Sequence, residues 1–85
     1  MALSKERLLQ FVEDRLGVDT AELDADTPLF SSGMIDSASM VDLIVFLESE
    51  GYVKFAPDDI TLDHLDSIGR ILDFVAANRH DREYR

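Results

Sequence analysis

Three stretches of the sequence repeat apolar residues at the spacing of a helix, and this pattern limits the fold more than any other feature. The first stretch is bounded by Ser4, a good N-cap, and Gly17, a natural stop, which predicts a helix over residues 5–16. The apolar positions are, in chain order, Leu8, Leu9, Phe11, Val12 and Leu16; Met40, Val41, Leu43, Ile44, Phe46 and Leu47; and Ile68, Ile71, Leu72 and Val75. The chain is therefore predicted to be all-α.

The remaining helix ends follow from capping residues. The second helix should begin at Asp36 or Ser37 and stop at Gly51, and the last should begin with Asp66 as its N-cap. A short helix is expected from Pro57, because proline suits a first helical turn and the acids after it favour the helix dipole. We expect a small four-helix bundle, with three longer helices, a short third helix and a long loop between helices one and two.

The chain length of 85 residues, 46% of them hydrophobic, predicts a single compact domain. We expect one domain over residues 1–85, with its core over about 5–78 and a frayed Arg-rich tail over 79–85. Residues 52–55 alternate in polarity like a short strand but have no partner run, so we expect a packed loop there. The Met1 start and the absence of a linker favour a free-standing protein over a domain excised from a larger synthase.

Negative charge is concentrated in the middle of the chain. The net charge is −10, and residues 19–73 hold 13 acids against Lys54 and Arg70. Such a surface disfavours nucleic acid and anionic membranes and favours basic protein partners, although solubility alone would explain a surplus of charge. No apolar run approaches the roughly 18 residues of a membrane span. We expect a cytoplasmic monomer.

Residue types that carry chemistry are scarce. There is no cysteine, and therefore no disulfide, thiolate metal site or thiol nucleophile. His64 and His80 lack metal-ligand spacing and are expected to be exposed or capping residues. No Gly-x-Ser-x-Gly elbow or calcium-binding loop is present. We expect neither a metal site nor enzymatic activity.

The stretch that leads into Ser37 is the most specific part of the sequence. Gly33 permits a left-handed turn, Met34 and Ile35 are expected to turn back into the core, and Asp36-Ser37 then lies at a helix N-terminus. Unpaired backbone N–H groups and the positive end of the helix dipole would stabilise a phosphate ester on Ser37 there. An Asp-Ser pair by itself is better explained as an ordinary helix cap, with Ser37 as a first-turn residue.

From Leu8 to Val75 the chain resembles the acyl carrier protein family, including its peptidyl and aminoacyl carriers. The resemblance rests on four features: a glycine, two apolar residues and Asp-Ser (Gly33-Met34-Ile35-Asp36-Ser37); an apolar run that ends in acids (43–50); an aromatic residue and alternating apolar residues before a short acidic helix (52–60); and a serine followed by an apolar stripe (67–75). It implies the same small helical bundle.

The resemblance also implies a function. Ser37 would carry a covalent 4′-phosphopantetheine, donated from coenzyme A by a separate magnesium-dependent transferase, with Asp36 helping to position the metal or the hydroxyl. The chain would hold cargo as a thioester and act as a substrate of its partners: the phosphopantetheinyl transferase, an acyl- or aminoacyl-loading enzyme, and downstream synthase or transferase enzymes with basic docking patches. The residues expected to meet these partners are Ala38, Met40, Val41, Asp42, Glu48, Asp58 and Asp59.

Three positions depart from the usual family pattern. Ala38 stands where leucine commonly follows the modified serine, and Ser39 and Ser49 stand where acids are often found. These departures favour a polyketide-type or other specialised pathway, with an aminoacyl or peptidyl carrier loaded by an adenylating ligase as the alternative. From a different class, an unmodified acidic helical adaptor that binds a basic partner through helix two also stays open.

Overall fold

The computed structural model describes residues 3–51 and 53–78 and contains no strand within them. The four α-helices are, in chain order, α1 (Lys5–Leu16), α2 (Ser37–Gly51), α3 (Leu62–Leu65) and α4 (Ile68–Asn78). The predicted all-α bundle, with a short third helix and a long first loop, is confirmed. None of these helices combines the length and apolar character that a membrane crossing requires. The expectations for Tyr52 and for the tail over 79–85 lie outside the described residues.

Both ends of α1 form as predicted. The Ser4 hydroxyl accepts a hydrogen bond from the backbone N–H of Arg7 at 3.1 Å, which satisfies one of the free donors at the helix start. Gly17 adopts the left-handed conformation with φ of 74° and donates its N–H to the carbonyl of Val12. The helix therefore spans the predicted residues.

Gly51 differs in kind from the predicted stop. It is the last described residue of α2, but its φ is not positive, since Gly17 and Gly33 are the described glycines with a left-handed backbone. A Cβ atom at Gly51 would lie 3.0 Å from Cγ1 of Val75. The absence of a side chain therefore serves close packing of α2 on α4.

The short helix lies later than predicted. Residues Pro57–Asp59 form a 3-10 turn, and the α-helical segment is Leu62–Leu65. The Asp59 carboxylate accepts from the N–H of Ala56 at 3.0 Å, and Ile60 donates to the carbonyl of Pro57 at 3.3 Å, so the turn closes after three residues. The prediction from proline and acids found a helical turn but not the helix.

The predicted N-cap of α4 is wrong by one residue. The hydroxyl of Ser67, rather than the carboxylate of Asp66, accepts from the N–H of Arg70 at 3.1 Å. Asp66 instead ends α3, where its own N–H donates to the carbonyl of Leu62 at 3.0 Å. Its carboxylate is occupied by the loop that precedes α2.

One hydrophobic core joins the four helices. Each helix contributes at least one fully buried aliphatic side chain, and all of them belong to the same cluster: Leu8, Leu43, Leu47, Leu65 and Ile71. Burial of such a side chain is worth roughly 1.5–3 kcal/mol. This shared core fixes the position of the loops between the helices.

His64 contributes to packing instead of being free at the surface. Its imidazole is half-buried and its centroid lies 4.6 Å from that of Phe74, which also stacks on Phe55 at 4.8 Å. No three His, Asp or Glu side chains in the described part of the chain are grouped to hold a metal ion.

Candidate functional site

The residues that precede α2 form a closed turn. The carbonyl of Leu29 accepts from the N–H of Ile35 at 2.9 Å, and the carbonyl of Phe30 accepts from the N–H of Gly33 at 3.0 Å. Gly33 has φ of 82°, in the left-handed region that a residue without Cβ adopts at little cost. The predicted left-handed turn is confirmed.

The side chain of Ser32 also closes this turn. Its hydroxyl donates to the carbonyl of Pro28 at 2.7 Å and accepts from the N–H of Met34 at 3.2 Å. One serine therefore links the beginning and the end of the turn, as hydroxyl side chains often do in loops.

Only part of the turn enters the core. Leu29 is fully buried and Ile35 is 4% exposed, but Met34 is 42% exposed. The prediction that Met34 and Ile35 both turn back into the core is wrong for Met34. Ile35 is drawn inward and its N–H donates to the carbonyl of the buried Leu29, whereas Met34 lies at the surface end of the turn.

Asp66 holds the first half of this turn from the junction of α3 and α4. Its Oδ1 accepts from the N–H groups of Phe30 at 2.7 Å and Ser31 at 3.0 Å, and its Oδ2 accepts from the Ser31 hydroxyl at 2.6 Å. Its backbone carbonyl accepts from the N–H of Leu29 at 2.7 Å. Three consecutive residues of the turn are thus bound to one aspartate.

These bonds also set the acidity of the carboxylate. Partial burial raises the pKa of Asp66, but the hydrogen bonds from the Ser31 hydroxyl and from the N–H groups of Ser31 and Phe30 outweigh it. The pKa is lowered from the ordinary value of 3.8. Asp66 is therefore an anion at neutral pH, and charged acceptors make the stronger hydrogen bonds.

Ser37 follows the turn as the first residue of α2, and its side chain is exposed. Asp36 caps the helix, since its Oδ1 accepts from the N–H of Ser39 at 3.0 Å. The first turn of α2 contains no acid of its own. The arrangement presents a primary hydroxyl at a helix N-terminus, where free N–H groups and the helix dipole favour a bound anion.

Beside Ser37, one side of α2 is open to solvent. Ala38, Val41 and Asp42 are exposed there, and Val41 retains 63% of its surface, although Met40 is half-buried. Val41 therefore lies outside the buried side of α2, on the surface where the resemblance expects partner contact. Val45, one turn further on, is 61% exposed and was not among the predicted surface residues, although its spacing of four from Val41 indicates the same face.

The acids expected to meet partners fall into two groups. Asp42 and Asp58 are exposed. Glu48 and Asp59 bind the chain's own backbone: Glu48 Oε2 accepts from the N–H of Phe55 at 2.9 Å, and Asp59 holds the 3-10 turn. Two of the four carboxylates therefore also have a structural role that the sequence pattern did not indicate.

The sequence matches a known family over most of its length. Residues 6–75 match the family described as phosphopantetheine attachment site. The acyl carrier protein of Tropheryma whipplei (strain Twist) is 35% identical over 81 residues, which cover 91% of this chain and 96% of that protein.

More distant relatives carry the same name. The acyl carrier protein of Thermotoga maritima is 29% identical over 69 residues, covering 81% of this chain and 83% of that protein. That of Acidothermus cellulolyticus is 28% identical over 80 residues, covering 89% and 93%. The residues 6–75 that match the family contain the turn, α2 and most of α4.

Proposed function

The chain belongs to the acyl carrier protein family, whose members are carriers with a covalently attached 4′-phosphopantetheine, and on that premise we propose that Ser37 is the attachment residue. The chain then holds biosynthetic intermediates as thioesters and passes them between partner enzymes.

The exposed hydroxyl of Ser37 at the start of α2 carries this proposal. A phosphodiester on that oxygen places its negative charge beside the free N–H groups of the first helical turn. The first turn itself holds no acid, and the capping Asp36 accepts from the N–H of Ser39, which leaves the N–H groups of Ser37 and Ala38 to face the phosphodiester. These residues fit the group without any basic side chain.

Attachment makes the chain a substrate. The Ser37 oxygen forms a bond to a phosphorus of the coenzyme A pyrophosphate, the bond from that phosphorus to adenosine 3′,5′-bisphosphate breaks, and the hydroxyl proton passes to a base on the transferase. Once bound, the arm supplies the thiol that forms the thioester. That sulfur has to come from the cofactor, because the sequence has no cysteine.

Asp36 has two roles in this proposal. Its Oδ1 caps α2 through the N–H of Ser39, which fixes the first turn beside Ser37. The other carboxylate oxygen has no hydrogen-bond partner among the described residues and is available to the metal ion or the hydroxyl in the transferase complex. Asp36 thereby positions Ser37 from within the chain.

Partner enzymes meet the open side of α2. Ala38, Val41 and Asp42 offer a small apolar contact with a carboxylate at its edge, and Asp58 adds a second exposed acid. Met40, Glu48 and Asp59 contribute less surface, because they are half-buried. Charge complementarity with a basic patch raises the encounter rate more than the affinity, which suits a carrier that must dissociate.

The departures at Ala38, Ser39 and Ser49 support a proposal on the cargo class. We favour a polyketide-type or other specialised pathway over an aminoacyl or peptidyl one. The short side chain of Ala38 and the sparse acids of α2 support partners that differ from those of a fatty-acid carrier. A loading panel with acyl and aminoacyl donors on the modified protein distinguishes the two.

One domain accounts for the described structure. The single core draws on all four helices, which supports a carrier domain over residues 5–78 that works as a monomer. Sedimentation of the modified protein tests the monomer, and a dimer would contradict it.

Incubation with coenzyme A, Mg²⁺ and a phosphopantetheinyl transferase tests the attachment residue. We expect intact-mass analysis to show the gain of one phosphopantetheine on the wild type and none on Ser37→Ala. Ser39→Ala is the matched control, because it removes a hydroxyl from the same helical turn and should still be modified. No gain on the wild type, or an equal gain on Ser37→Ala, would contradict the proposal.

A further inference from the structure

We propose that Asp66 is a positioning residue for phosphopantetheine transfer, because its carboxylate holds the turn that leads into Ser37 in a single conformation. This inference rests on the proposed attachment at Ser37. Asp66 lies outside the stretch Gly33–Asp36 that leads into Ser37. In this role it touches neither the Ser37 hydroxyl nor the cofactor.

The carboxylate of Asp66 binds the turn at Phe30 and Ser31. The N–H groups of Phe30 and Ser31 both donate to one carboxylate oxygen, and the Ser31 hydroxyl donates to the other. The N–H of Phe30 is half-buried, so removal of the carboxylate leaves a partly desolvated donor without its acceptor. Without the carboxylate, Phe30 and Ser31 lose the three hydrogen bonds that hold them in this orientation.

Backbone hydrogen bonds connect this point to Ser37. The carbonyl of Phe30 accepts from Gly33, and the carbonyl of Leu29 accepts from Ile35. Ile35 is 4% exposed and therefore fixed in the core. It is followed by Asp36, the cap of α2, so a change in the orientation of Phe30 and Ser31 acts on the start of α2 through the hydrogen bond between Phe30 and Gly33.

Removal of the carboxylate leaves the rest of the attachment intact. The N–H of Leu29 still donates to the backbone carbonyl of Asp66, and the N–H of Gly69 donates to the carbonyl of Ala25 at 2.8 Å. A Cβ at Gly69 would lie 3.0 Å from that carbonyl oxygen, so the backbones approach closely there. The loop therefore stays packed on α4 while the turn itself loses its acceptors.

Asparagine at position 66 provides a conservative replacement. An amide oxygen can accept from both N–H groups, and the amide NH₂ can donate to the Ser31 hydroxyl oxygen, which preserves all three contacts without the charge. Alanine preserves none. The pair Asp66→Asn and Asp66→Ala thus separates the hydrogen bonds from the charge.

The experiment measures steady-state phosphopantetheine transfer onto wild type, Asp66→Ala, Asp66→Asn and Asp63→Ala at a temperature where each variant is folded by circular dichroism. Asp63 is the matched control, since it is a nearby acid with 93% of its side chain exposed. We expect Asp66→Ala to lower kcat/KM about tenfold, equivalent to about 1.4 kcal/mol. Asp66→Asn should recover most of that loss, and Asp63→Ala should match the wild type.

Amide hydrogen exchange supplies the readout that a general loss of stability does not give. In Asp66→Ala, the N–H groups of Phe30 and Ser31 should lose about tenfold more protection than the amides of the α2 interior, whose exchange follows the global stability of the variant. A uniform rise across the chain would contradict a local positioning role.

The outcomes separate this inference from the proposed function. If the wild type is not modified, the attachment proposal fails. If the wild type is modified and folded Asp66→Ala is modified equally fast, only the positioning role fails. If Asp66→Ala does not fold, the test uses Ser31→Ala, which removes one of the three hydrogen bonds to the carboxylate. We expect this variant to lose twofold to threefold in kcat/KM. A wild-type value of kcat/KM would overturn the inference.

Discussion

The two connections that flank α2 are both held by carboxylates that accept from backbone N–H groups, but the carboxylates come from different distances along the chain. Before α2, Asp66 reaches Phe30 across 36 residues. After α2, Glu48 reaches Phe55 across 7 residues, and Asp59 reaches Ala56 across 3. Earlier in the first connection Asp19 and Asp24 bind only near neighbours, but the turn over residues 29–35 depends on the assembled bundle, whereas the second connection is supported by its own neighbours.

The two connections also differ in their apolar anchors. Leu29 and Ile35 bury both ends of the turn before α2, whereas Val53, at 2% exposure, is the buried residue of the described segment 53–60. The connection with more buried anchors is therefore the one that leads into Ser37. The difference indicates that the approach to Ser37 is fixed more firmly than the chain after α2.

The largest expected effect compares the anchors. Leu29→Ala should lower the free energy of unfolding by about 3 kcal/mol, since it removes a fully buried leucine and leaves a cavity. Val53→Ala removes less buried volume and should cost about 2 kcal/mol. Urea denaturation of both variants measures the difference, and a larger loss for Val53→Ala would reverse the comparison.

The next effect compares the carboxylates. Asp66→Ala should cost about 2 kcal/mol, because it leaves two N–H groups and a hydroxyl without their charged acceptor, and Glu48→Ala about 1 kcal/mol, because it leaves one. Asp63→Ala is the control and should change stability by less than about 0.5 kcal/mol. If Asp66→Ala and Glu48→Ala lowered the free energy of unfolding equally, the two connections would not differ in this respect.

A smaller effect is expected from backbone conformation. Gly33→Ala should cost about 1 kcal/mol, because alanine is strained at φ of 82°. Gly33→Asn should recover part of that loss, since asparagine tolerates the left-handed region better. Thermal denaturation of the two variants distinguishes backbone strain from crowding, as a Cβ at this position meets no atom within 4 Å.

The smallest effect concerns pH. The pKa of Asp66 is lowered in the folded chain, so its stabilising contribution is complete above the ordinary value of 3.8 and is lost as the pH falls through the lowered folded value. The stability advantage of the wild type over Asp66→Asn should therefore shrink on acidification below about pH 4. Urea midpoints of both proteins at several pH values measure it, and a constant difference would contradict the assignment.

Local patterns allowed much of the fold to be predicted. Ser4 and Gly17 gave the bounds of α1, Gly33 gave the left-handed turn, and Asp36-Ser37 gave the start of α2, because each of these signals acts within a few residues. The candidate site was identified in the same way, from the order of residues that leads into Ser37.

Features that depend on distant contacts were not predicted. Asp66 is of a residue type that commonly forms N-caps. Its carboxylate is bound to the loop before α2, however, and Ser67 caps α4 instead. Likewise, Gly51 has the appearance of a stop until Val75 is placed against it. The exposure of Met34 depends on which of two apolar neighbours reaches the core, and their sequence alone does not distinguish them.

The distance of Asp66 along the chain has a consequence for biosynthesis. A ribosome makes Phe30 and Ser31 before it makes Asp66, which accepts from their N–H groups, so the turn ahead of Ser37 remains incomplete while the nascent chain ends before the junction of α3 and α4. A chain truncated before Asp66 lacks the hold altogether. The turn can therefore be completed only after the third helix has been synthesised.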